Sequence, residues 1–158
     1  MKKHSRNGVV YAIHDDLHGL LENIQKAKED NSSHSLETYS GHTVWYTEPT
    51  QFIQSSAMCY DKGKTFAAHK HKVRDRVSSK TQEVMICVNG AMRYVLYDNN
   101  GKYLDYGVLI RGDILTILDG YHDYEVVEDN TVVYEVKNGP FTSVKDDKEY
   151  LNVTNSTV

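Results

Sequence analysis

The chain has 158 residues, 39% of them apolar and 25% charged, and carries a net charge of −4. That length suits one domain with one core, and the composition excludes a disordered chain. No apolar run approaches the roughly 18 residues of a transmembrane helix, and the negative balance leaves no general basic footprint for nucleic acid.

The opening residues, MKKHSRNGVVYAIHDD, are basic, but their apolar stretch VVYAI is too short for a secretory signal. The expectation is a cytoplasmic protein without membrane or nucleic-acid partners. Asp15 or Asp16 can cap a helix running to about Lys28, with Leu17, Leu20, Leu21 and Ile24 at helical spacing. The polar stretch EDNSSHS ends it. From there the pattern changes to short β-type runs: TVWYTE, FIQSSAMCY, TFAAHKH, EVMICV, AMRYVLYD, YLDYGVLI, ILTIL, HDYEVV and TVVYEV. DKGK, NG, DNNG, RGD, DG, EDN and NGP separate them, which is turn chemistry. Closely spaced turns of this kind predict an antiparallel sandwich or barrel. EVMICV and ILTIL are continuously apolar and should have both faces covered. Cys59 and Cys87 lie within such runs and read as buried thiols, not as a disulfide. The last residues, KEYLNVTNSTV, read as a polar tail.

Within TFAAHKH, residues i and i+2 of a strand share a face, so His69 and His71 project together. A hairpin would return Glu83 beside them, and His122 offers a further imidazole from a distant strand. An HxH pair by itself is more often an ordinary surface or core pair than a ligand pair. With a carboxylate and a third histidine at matching positions, the set suits a divalent ion such as Fe, Mn, Zn or Ni.

These residues resemble the cupin superfamily. Gly63, five residues, His69-Lys70-His71, then Glu83, six residues and Gly90 follow its first motif, except that eleven residues separate His71 from Glu83 where the family has three or four. Gly112-Asp113 to His122 follows its second motif, with Leu118 in place of the proline and one residue fewer before the histidine. The resemblance covers roughly Phe52 to Phe141. It implies a double-stranded β-helix, the jelly-roll barrel, over residues 41–145, preceded by a helix and linker at 1–40 and followed by a tail at 146–158. It also implies one metal ion, held by His69, His71, Glu83 and His122, and often a homodimer. It implies no particular reaction.

Other residues keep two readings each. Arg74 and Arg76, in the extended hairpin KVRDRVSSKTQ, either clamp an anionic substrate or only solvate the loop. Arg93 either binds a substrate anion or pairs with a carboxylate such as Glu135. Glu135 and Lys137 share a strand face as an ion pair, unless Glu135 acts as a general base near the metal. Tyr124 is a packing residue, or donates a proton to a bound oxygen. The leading expectation is a metal-dependent enzyme acting on a polar anionic or sugar-derived metabolite. The alternatives are a cupin that binds a ligand or carbohydrate without turnover, and a metal-free sugar isomerase using its histidines as acid and base.

Overall fold

KKHSR and VVYAIHD flank Asn7-Gly8, whose φ angles of 51° and 78° close a two-residue hairpin. β1 (Lys2–Arg6) and β2 (Val9–Asp15) therefore pair antiparallel, with Arg6 opposite Val9. Composition suggested only a basic lead-in here; the Asn-Gly turn between two alternating runs was the stronger signal. The computed structural model describes residues 1–29 and 43–151. The helix forms as expected, α1 (Leu17–Glu29), and the Asp16 carboxylate accepts the Gly19 N–H at 2.6 Å to cap its first turn. Most of the expected linker EDNSSHS lies outside the described residues, as does the tail from residue 152.

The β-type runs become β3 (Thr43–Trp45), β4 (Ser56–Met58), β5 (Glu83–Asn89), β6 (Ala91–Tyr97), β7 (Tyr103–Ile110), β8 (Ile114–Ile117), β9 (Tyr121–Val126) and β10 (Val132–Lys137). A short helix, α2 (Val144–Asp147), follows with Ser143 as its N-cap. All pairings are antiparallel. A five-stranded sheet runs β1-β2-β8-β5-β10, a three-stranded sheet β7-β6-β9, and β3-β4 forms a ribbon. The N-terminal hairpin is thus part of the same sheet as β5 and β8.

The two larger sheets face each other across one core. Ala12, Met85, Cys87, Leu115 and Ile117 come from the first, and Met92, Tyr94, Leu96 and Leu109 from the second. Ile13, Tyr46 and Leu118, with Val44, Ile53, Ala57 and Ile114 around them, cover the outer face of the five-stranded sheet. This accounts for the unbroken apolar runs of β5 and β8, which are buried from both sides. Cys87 is buried, Cys59 half-buried, and both are free. The architecture is all-β apart from the helices, with β1 and β10 at the edges of the larger sheet and β7 and β9 at those of the smaller. Among the described residues no helix is long and apolar enough to cross a membrane.

One predicted strand is missing. Residues 59–82 contain no strand, and every residue from Asp61 to Val77 is exposed. TFAAHKH and the expected hairpin after it form instead a single extended arm. A strand needs a ladder partner, and among the described residues none lies beside the arm.

Candidate functional site

Register places one carboxylate at the mouth of the sandwich. Across the inner face of the five-stranded sheet, Ala12, Ile117, Glu83 and Lys137 lie opposite one another in a row. β8 ends at Ile117, and only Leu118-Asp119-Gly120 separate it from β9 in the opposite sheet. That short crossing carries His122 to the facing side of the gap, where it sits opposite Leu96. Its Nε2 lies 3.2 Å from Glu83 Oε2. Glu83 is 7% exposed, so its charge is largely removed from water. The hydrogen bond from His122, followed by the positive charges around it, holds its carboxyl below the ordinary value despite burial.

Two buried polar atoms at this point have no partner among the described residues: His122 Nδ1 and Tyr124 Oη. The rings of these residues are 5.3 Å apart, both on the inward face of β9. With Nε2 toward Glu83, Nδ1 is the ring nitrogen left without a partner among the described residues. Burial, then the charges of Glu83 and Glu135, pushes the Tyr124 hydroxyl well above its ordinary value, so it is a donor with nothing to donate to. Buried polar atoms are nearly always hydrogen-bonded, so these two single this point out as the candidate site. Removing one should stabilise the empty protein. Tyr124→Phe is expected to raise unfolding stability by roughly 1 kcal/mol. Urea denaturation checks this; a loss of stability would mean the hydroxyl already has a partner.

The other residues singled out from the sequence are placed as follows. His69 and His71 lie on the exposed arm, their rings 5.6 Å apart, and His69 Nδ1 contacts the Ala67 carbonyl at 2.9 Å. Among the described residues no group of three or more His, Cys, Asp or Glu side chains stands close enough to hold a metal ion. The fold therefore unites Glu83 with His122 and keeps the histidine pair apart from them. Arg74 and Arg76 are exposed on the same arm, and Arg76 borders a shallow groove with Pro49–Phe52 and Gln54. Arg93 faces outward and pairs with Glu125 at 2.7 Å, not with Glu135. Arg93 and Glu125 are direct cross-strand neighbours on β6 and β9, which explains the choice. Glu135 lies opposite Met85 on the inward side of β10, and Lys137 binds Asp147 at 3.2 Å.

The structure also gathers His4, His14, Tyr94, Asp105 and Asp113 into a polar chain, buried at His4, Tyr94 and Asp113 and half-buried at His14 and Asp105. The alternating pattern of KKHSR and VVYAIH about Asn-Gly could have placed both histidines on one hairpin face. Nothing in the sequence could have set Tyr94 between them. No family model matches this chain, and neither a curated protein nor a solved structure shows significant similarity to it.

Proposed function

We propose that this is a metal-dependent cupin that acts on a small polar, anionic or sugar-derived metabolite. The observation that carries the reading is the buried Glu83 carboxylate paired with half-buried His122, with the orphaned imidazole nitrogen and the unpartnered Tyr124 hydroxyl beside it. Nitrogen and carboxylate donors of this kind fit a borderline divalent ion.

The arm has the pattern needed to complete such a site. Ala67, His69, His71 and Val73 alternate with Ala68, Lys70, Lys72 and Arg74. The free edge at β9 alternates to match, with His122 and Tyr124 inward and Asp123 and Glu125 outward and exposed. Laid along that edge as a strand, the arm would bring both histidines beside His122 and set its basic side chains against the two acids. It would add a fourth strand to the β7-β6-β9 sheet and move the open sandwich toward a double-stranded β-helix. In that arrangement His69, His71, Glu83 and His122 hold the ion. Arg74 then turns outward, and Tyr124, Glu135 and Lys137 are the groups left to meet a ligand from inside. A bound divalent ion would polarise a carbonyl or carboxylate oxygen of that ligand. Tyr124, kept protonated by burial, can donate its hydrogen to the same oxygen, and Glu135 can accept a proton.

Metal analysis of untagged protein tests the reading directly. One ion per chain is expected, lost in the His69→Ala, His71→Ala double variant while the circular dichroism spectrum stays unchanged. Full metal retention in that variant would remove the arm from the site.

A further inference from the structure

β1 and β2 are fastened to the opposite sheet by side chains that the candidate site does not use. Tyr94, fully buried on β6, has its hydroxyl 3.1 Å from His4 Nε2 and 2.9 Å from His14 Nδ1. His4 Nδ1 lies 3.1 Å from Asp105 Oδ2, and His14 Nε2 lies 3.2 Å from Asp113 Oδ2. The result is a continuous run, Asp105–His4–Tyr94–His14–Asp113, spanning both sheets.

Both end carboxylates are committed as acceptors. Asp105 also receives the Lys2 ammonium and the Tyr106 N–H. Asp113 receives the backbone N–H groups of Ile110 and Leu17. Four links join the five side chains, and each link needs one hydrogen. Two neutral imidazoles and one phenol supply only three. Without a fourth, one link would set lone pair against lone pair inside a core where unsatisfied polar atoms are costly.

We propose that this chain is a built-in proton-binding site, holding one proton beyond its neutral complement, and that this proton latches the β1–β2 hairpin to the three-stranded sheet. The His14–Asp113 end carries it. His4 cannot: its side chain is fully enclosed, and burial holds the imidazole below the ordinary histidine value against the pull of Asp105. Hydrogen bonds then run one way. His14 donates through Nε2 to Asp113 and through Nδ1 to Tyr94, Tyr94 donates to His4 Nε2, and His4 donates through Nδ1 to Asp105. The other titratable groups facing the chain are Asp16 at the head of α1, Lys2 from β1, Cys87 from β5 and Tyr124, the cross-strand neighbour of Tyr94. None of them hydrogen-bonds to either imidazole or to the Tyr94 hydroxyl, so none supplies the missing hydrogen.

The sign of the pH dependence follows. Above the ordinary histidine value of about 6.5, the unfolded chain has neutral imidazoles while the folded chain keeps one extra proton. Stability then falls as pH rises, by about a tenfold drop in the folded-to-unfolded ratio per pH unit, until the proton leaves. Below about 6.5 the unfolded chain charges both histidines while folded His4 stays neutral, so stability falls in acid as well.

Nitrogen-15 spectra of histidine-labelled full-length protein decide the proposal. Slightly above neutral pH, His14 should show both ring nitrogens protonated and His4 should be neutral with hydrogen on Nδ1. A neutral His14 there would overturn it. The second measurement is urea stability against pH for the unmodified chain and for Asp113→Asn. The difference between the two proteins is the quantity read, because contributions common to both cancel in it. The alkaline slope should be shallower in Asp113→Asn; equal slopes would also overturn the proposal. If that variant does not fold, the spectra of the unmodified chain suffice.

Discussion

Glu83→Gln is expected to lower divalent-metal affinity by between about ten- and a hundredfold, with little change in the fold. The amide can still accept the hydrogen from His122, so the local geometry survives, but it offers the ion no charge. A titration with Mn(II) or Zn(II) of metal-stripped protein measures the difference, and equal affinities would leave Glu83 as a buried partner of His122 and nothing more. The same substitution should alter acid sensitivity. The Glu83 carboxyl is held below its ordinary value of 4.5 in the folded chain, chiefly by the His122 hydrogen bond. As pH falls through that value, the unfolded state takes up the proton first, and stability drains until the folded carboxyl is protonated too. The glutamine variant has no such proton to take up, so its acid-unfolding curve should be shallower in that window.

Gly120→Ala is expected to cost about 3 kcal/mol or more and to displace His122 as well. Gly120 sits at φ +84°, where an alanine is strained whatever the space around it. A Cβ there would also come within 3.0 Å of the Tyr97 carbonyl oxygen and of Tyr11 Cδ1. The carbonyl belongs to a paired strand and cannot swing aside. Relief must come from the Leu118–Gly120 crossing, the segment that carries β9 from one sheet to the other. Thermal unfolding gives the stability loss, and the His122 ring resonances report the displacement. An alanine variant with wild-type stability would show that the turn has room that its backbone geometry denies.

Much of the strand layout was legible because period-two alternation and turn chemistry are local properties. EVMICV, AMRYVLYD, YLDYGVLI, ILTIL, HDYEVV and TVVYEV all became strands near their expected bounds. The Asn7-Gly8 hairpin was equally legible in principle, since two alternating runs about Asn-Gly is a short-range signal. TFAAHKH shows the opposite case. It alternates as a strand should, yet alternation states only that a segment can pair, and the arm has no partner edge against it.

The sequence by itself determined which residues could act: a histidine pair at strand spacing, a carboxylate at the head of an apolar run, and a histidine just after a Gly-containing turn. Those are matters of residue type and short spacing. The tertiary structure decided which of them meet. Glu83 and His122 are far apart along the chain and come within 3.2 Å only because β8 ends beside Glu83 and crosses directly to the opposite sheet. His4, His14 and Tyr94 come together for the same kind of reason, one hairpin face closing over another sheet. Contacts between sheets depend on how two buried faces pack, and no local pattern encodes that.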